Sequence, residues 1–292
     1  MKHIVRIPIA VACVVIATAC GGGGDGGGAL TQADEGIWSN LNGGTGPGMQ
    51  AIILSDGSYW GLYGGTQSAQ FAFDDASGVG VLHGTASASG GSVSGAYTGF
   101  FPFISDGLFN GTYSGTASAR SNINLTFNSP LDVNSPVSLS PASPPVSTVT
   151  MRYDAIYNQP ASIATIVNNY PGNECFITPG AASEEHCGVY VTPFDPSGID
   201  YTYTRRLVID LTQGLIEVTG TDGQTASMSG TIAPHGTTGN VFDVSLTTTA
   251  NEIDMPVGTT VKGILFQTSG SQGHTEIIAA GENLAYYYTG QK

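Results

Sequence analysis

From Gly36 onward, apolar residues alternate with small polar ones in short runs, and turn dipeptides cut one run from the next. Ala51-Ile52-Ile53-Leu54-Ser55, then Asp56-Gly57, then Ser58-Tyr59-Trp60-Gly61-Leu62-Tyr63 reads as a hairpin, since Asp-Gly supplies the positive φ angles of a type I′ turn. Gly90-Gly91 divides a second pair of runs, Val79 to Ala88 and Ser92 to Tyr97. Arg120-Ser121 divides a third, Thr112 to Ala119 and Asn122 to Phe127. Asp106-Gly107 and Asp222-Gly223 are further turn signals. With 42 Gly among 292 residues and only 10% charged residues, long heptads and charge-laced helices are excluded. The fold class expected is all-β: two tandem antiparallel barrels or sandwiches.

The N-terminus reads as a processing segment. Lys2, His3 and Arg6 precede an apolar stretch from Ile7 to Ala17, too short for a stable membrane span. It ends in Ala17-Thr18-Ala19-Cys20 and a run of glycines. This looks like a bacterial lipoprotein signal, which implies acylation of Cys20 and attachment to the membrane through that lipid. An ordinary secretory cut after Ala19 is the alternative. The Gly-rich tether is flexible, and Gly21 rather than Asp after the cysteine implies outer-membrane sorting. Cleavage removes two basic residues and no acidic one, leaving 22 acidic residues against six basic. Such a chain lacks the clustered cations that neutralise phosphates, so nucleic acid is excluded as a partner.

Cys13 leaves with the signal, so Cys175 and Cys187 are the remaining pair. In an oxidising compartment they read as one disulfide closing a short loop, with two free thiols as the plainer alternative. Two sulfurs and the neighbouring His186 fall short of the four ligands of a structural zinc site, so no metal and no cofactor are expected.

The expected division is a signal peptide at 1–19, lipidated Cys20 and tether at 20–29, a first β-domain at 30–128, a linker or crossover at 129–147 and a second barrel at 148–292. The linker rests on Pro130, Pro136, Pro141, Pro144 and Pro145, because proline cannot donate to a sheet ladder. In the second half, Gln159 to Val167 is the best helix candidate, with Ile163, Ile166 and Val167 at i, i+3 and i+4. It could plug a barrel end. Runs at Tyr201–Thr212, Leu215–Thr219, Thr225–Ala233, Asn240–Thr249, Thr259–Thr268, Thr275–Ala279 and Leu284–Thr289 read as strands of a closed or nearly closed barrel.

The layout resembles largely uncharacterised Gram-negative envelope lipoproteins of the Burkholderia and Pseudomonas kind, with two small β-domains in tandem. The residues that carry the resemblance are the Cys20 box with its glycines, Gly36-Ile37-Trp38 and Asp56-Gly57-Ser58-Tyr59. In the second half they are Tyr153-Asp154-Ala155-Ile156-Tyr157, Pro160-Ala161-Ser162, and Ser229 to Pro234 leading into Gly239 to Val244. Gly36-Ile37-Trp38 also has the Gly-x-Trp form that starts lipocalin barrels. More distantly, the architecture is similar to transferrin-binding protein B and factor H binding protein, which implies a binding role.

Enzyme signatures are missing: there is no Gly-x-Ser-x-Gly, Ser-x-x-Lys, His-Glu-x-x-His or phosphate-binding loop. His83, His186, His235 and His274 stand apart in sequence, and no catalytic residue is assigned. Phe100, Phe101 and Phe103 lie around Pro102 between turn signals. They read as an exposed ligand contact or as a cap on the first core. The sequence thus points to a non-enzymatic outer-membrane lipoprotein that binds an envelope or surface partner. The competing readings are a periplasm-facing hydrolase or hydrolase inhibitor built on a barrel cavity, and a structural spacer.

Overall fold

A computed structural model describes residues 34–40, 48–63, 80–100, 108–128, 146–167, 169–177, 185–187, 205–210, 215–220, 226–249, 256–269, 274–282 and 284–291. Nearly all of them are in antiparallel strands. The first sheet holds β1 (Gly36–Ser39), β2 (Met49–Ile53), β3 (Ser58–Tyr63), β4 (Gly80–Thr85) and β5 (Ser87–Ser89). It continues with β6 (Ser92–Phe100), β7 (Leu108–Ser118), β8 (Asn122–Asn128) and β9 (Val146–Tyr153). Each strand pairs with the next around the sheet, β4 pairs with β6, and β9 returns to β1, which closes an eight-stranded barrel. The short β5 prolongs β4 past Ala86 and also pairs with β6.

The second sheet holds β10 (Asn169–Ile177), β11 (Glu185–Cys187), β12 (Arg205–Asp210), β13 (Leu215–Gly220) and β14 (Ala226–Pro234). It ends with β15 (Val241–Thr248), β16 (Thr260–Gln267), β17 (His274–Ala280) and β18 (Ala285–Gln291). Strands β13 to β18 curl as a meander, and β10 pairs with both β12 and β18, which joins the ends of the sheet. The all-β expectation holds. Each of the seven runs read as strands in the second half coincides with one of β12 to β18.

Pairing places Val146–Tyr153 differently from the sequence reading, which had it open the second domain. Its partners are β8 and β1, so it completes the first barrel. The proline-bearing segment 129–147 therefore runs between β8 and β9 of one barrel and into β9; residues 129–145 lie outside the described ones. The chain passes between barrels after Tyr153, through a 3₁₀ turn (Ala155–Asn158) and a single-turn helix α1 (Ile163–Ile166). That helix is shorter than expected, because Ser162 and Val167 both take extended backbone and its β-branched residues favour strands. It still plugs a barrel end: Ile166 is fully buried in the core of the second sheet.

Strand alternation sorts the side chains. Trp38, Tyr59, Tyr97, Tyr113 and Phe127 fill the first barrel with Ile123, Leu125 and Met151. Met228, Phe242, Leu265, Tyr286 and Tyr288 fill the second. Outward on β6 to β9 run rows of hydroxyls and amides across the strands. One row is Ser94, Ser114, Thr126 and Thr148, and the next is Thr116, Asn124 and Thr150.

Turn chemistry is split between two sites. Gly90 and Gly91 both have positive φ, +60° and +83°, as type I′ demands. At Asp56-Gly57 only the glycine does. The Gly57 N–H donates to Leu54 O, and the Asp56 carboxylate accepts from the Ser58 N–H, so this hairpin turns over Ser55-Asp56 and ends on a left-handed glycine.

Candidate functional site

The described side chains converge most closely where the barrels meet. The outward faces of β1 to β4 carry Ile37, Ile52, Trp60, Leu62 and Val81, and those of β15 to β18 carry Val241, Ile264, Phe266, Ile278 and Tyr287. The two sets form one buried cluster, to which Tyr157 of the connector belongs. Strands with both faces covered read as nearly continuous apolar runs; Met49–Ile53 is wholly buried and apolar except for Gln50.

Three polar clusters are set into this seam. In its interior the Gln50 amide donates from Nε2 to Glu276 Oε1 at 3.2 Å. Both residues are almost completely buried, 2% and 3% exposed. Glu276 Oε2 and Gln50 Oε1 have no hydrogen-bond partner. Burial pushes the Glu276 carboxyl up to about 7, with the Gln50 hydrogen bond opposing it. The Tyr287 phenol is driven well above its ordinary value by burial, then by the nearby Glu276 charge.

At a second place the Tyr157 hydroxyl donates to Glu35 Oε2 at 3.2 Å, and the Thr238 hydroxyl reaches the same oxygen at 3.4 Å. Burial, followed by the charge and hydrogen bond of Glu35, raises the Tyr157 phenol. The third cluster is at the β2–β3 turn. His235 Nδ1 is 2.7 Å from Asp243 Oδ1, and its Nε2 faces Asp56 of the other barrel at 4.0 Å. Burial raises the Asp56 carboxyl, but hydrogen bonds from Ser58 and the electrostatic pull of the His235 ring outweigh it and leave it below its usual value. His235 therefore joins two carboxylates. The connector is fastened too, because Asp154 Oδ1 caps the Ile156 N–H while its Oδ2 accepts from the Ser269 N–H at 2.8 Å.

These contacts can hold two barrels in one arrangement and place a proton-binding carboxyl between them. Among the described residues, no group of three or more His, Cys, Asp or Glu side chains could hold a metal ion, and no helix is long and apolar enough to cross a membrane.

The residues singled out in sequence fall in different places. Cys20, Phe101 and Phe103 lie outside the described residues. Phe100 is 3% exposed and belongs to the inter-barrel cluster, so it is a packing residue between the barrels and not an exposed contact. The pleat turns it to the same covered face as its strand partner Val81. Cys175 and Cys187 are register partners across β10 and β11, a relationship whose Cα spacing suits a disulfide. His83 stacks on Trp60 with ring centroids 3.9 Å apart, and burial lowers its basicity.

Glu276 and Gln50 went unremarked in the sequence. Their signal was adjacent apolar residues beside each of them, Ile277-Ile278 and Ile52-Ile53. A strand with two consecutive core residues has both faces covered, so a polar neighbour on it is buried as well.

Comparison with known proteins adds little. No family model matches the chain, and no curated protein matches it. One similar solved structure is described as a "putative outer membrane protein" from Bacteroides fragilis; it is 11% identical and covers 88% of this chain and 96% of its own. Its TM-score of 0.23 carries no argument about fold or role.

Proposed function

We propose that this chain is a non-enzymatic lipoprotein of the outer membrane, anchored through acylated Cys20, whose joined barrels offer a rigid body to an envelope or surface partner. The observation that carries the reading is the polarity of the barrels. A barrel that crosses a bilayer wears its apolar side chains outside. Here aromatic and aliphatic residues fill the described interiors, and the outward apolar faces cover each other. What is left outward on β6 to β9 is mostly serine, threonine and asparagine, with Ala96 and the exposed Arg152 among them. Such a body sits in water, so attachment falls to the N-terminal lipid and its Gly tether. A cavity-based hydrolase would need convergent polar groups inside a barrel, where Tyr59, Tyr97, Tyr113 and Phe127 are packed instead. In the oxidising compartment this reading implies, Cys175 and Cys187 form a disulfide. The 101–107 connection, with Phe101 and Phe103, is the proposed partner contact.

The test is fractionation of cells expressing the full chain or Cys20→Ser, with mass spectrometry of the mature N-terminus. The expected result is a diacylated Cys20 in the outer-membrane fraction and a soluble periplasmic Cys20→Ser protein. Membrane retention of Cys20→Ser, or an unmodified N-terminus on the wild type, overturns the reading.

A further inference from the structure

Glu276 lies in the apolar seam with one hydrogen bond, from Gln50, and one oxygen left over; Gln50 likewise has an oxygen left over. If Glu276 is ionised, both leftover atoms are acceptors, and two acceptors cannot satisfy each other. A protonated carboxyl carries the missing O–H. Beside a primary amide it can accept one hydrogen bond and donate another, which matches what Gln50 has to offer.

The surroundings favour the neutral form. On β16 the register partner of Glu276 is Phe266, and Lys262 lies four positions along and is exposed. On β18 the partner is Thr289, and the neighbouring Tyr287 brings a phenol that stays protonated in the physiological range. β3, which packs on β17, has no Asp, Glu, Lys, Arg or His, and on β2 the facing group is the neutral Gln50. On β4, which packs on β18, His83 is stacked on Trp60 and its burial disfavours its cationic form. Among the described residues, no cation lies against the carboxyl.

We propose that Glu276 is a proton-operated clasp: protonated, it pairs with Gln50 and holds the barrels together, and on losing its proton it loosens the seam along β2, β3, β17 and β18. The sign follows from linkage. A carboxyl freed from the seam titrates in the ordinary glutamate range, below the value it has when buried. The clasp's contribution is thus complete below that ordinary range, declines as pH rises toward neutrality and is gone above it.

The experiment compares thermal unfolding of the full-length mature protein with Glu276→Gln and Gln50→Met between pH 4 and 9. The wild-type Tm should fall by roughly 5–10 °C more than that of Glu276→Gln between pH 5 and 8. Gln50→Met removes the partner of the protonated carboxyl, so its Tm should lie further below the wild type's at pH 5 than at pH 8. Hydrogen exchange, corrected for intrinsic rates, should quicken above pH 8 in β2, β3, β17 and β18 but not in β6 to β8. Parallel wild-type and Glu276→Gln profiles, an equal loss at pH 5 and pH 8 in Gln50→Met, or uniform quickening would each overturn the clasp. Should Glu276→Gln not fold, infrared detection of a protonated carboxyl in the wild type at pH 6 replaces that arm, and its absence overturns the proposal.

Discussion

Tyr97 and Tyr113 each lie across a glycine on the neighbouring strand, and they do so reciprocally. Tyr97 is the register partner of Gly111, and Tyr113 is the partner of Gly95. A Cβ on Gly111 would come within 2.5 Å of the Tyr97 ring, and one on Gly95 within 1.8 Å of Thr85 O and 2.6 Å of the Tyr113 hydroxyl. That hydroxyl donates to Thr85 O at 2.9 Å. A large ring over a bare backbone recovers the contacts that a glycine forfeits in a strand. Gly95→Ala meets backbone and not a flexible tip, so we expect it to lower stability by about 2–3 kcal/mol in urea unfolding. A loss below about 0.5 kcal/mol would show that the sheet yields there. This pairing was legible, for Gly95-Ala96-Tyr97-Thr98-Gly99 and Gly111-Thr112-Tyr113-Ser114-Gly115 repeat one pattern. What the pattern alone does not say is that these glycines stand in strand interiors, since glycine also punctuates turns.

Elements were easier to find than to connect. Period-2 alternation marks a strand whichever sheet it joins, so β12 to β18 could be read off the sequence, while the membership of β9 depends on long-range pairing with β1. Proline density marks a long connection but does not say whether it separates two domains or two strands of one. The true connector is short and held by side chains. Asp154 caps its first turn and accepts from Ser269 across the seam, and the Ala161 N–H donates to Gly239 O. Asp154→Ala removes two acceptors at once. It should cost about 1–2 kcal/mol in thermal or urea unfolding, and Asp154→Asn should recover part of that loss. No measurable loss in Asp154→Ala would mean that the cap and the bridge contribute nothing to stability.

For the whole molecule, the seam decides whether the barrels can live apart. Each large apolar side chain it covers is worth about 1.5–3 kcal/mol relative to exposure. A chain ending after Asp154 would leave Ile37, Ile52, Trp60, Leu62 and Val81 bare. We expect that fragment to bind a hydrophobic dye and to self-associate in sedimentation, whereas the intact mature protein does neither. A monomeric, dye-silent fragment would show that the first barrel is complete alone. Here the sequence was half legible. Alternation along Tyr286-Tyr287-Tyr288 sends one ring outward, and a single outward Tyr is ordinary on a protein surface. Tyr287 does point out of its barrel, yet it is 1% exposed because the other barrel covers it. Composition along one chain cannot say that two outward faces are each other's partners.

The seam also sets an order of events during synthesis. The strands it joins lie near opposite ends of the folded chain, β1 to β4 against β15 to β18. A polypeptide threaded across a membrane from its N-terminus would deliver β1 to β9 first, and that barrel could close as soon as Tyr153 had emerged. Its apolar flank would then wait, wet, until β15 to β18 arrived at the end of the chain. Through that interval the nascent protein would be a client for whatever holdase works on the far side of the membrane. A stop codon anywhere between β9 and β15 would leave every copy in that state.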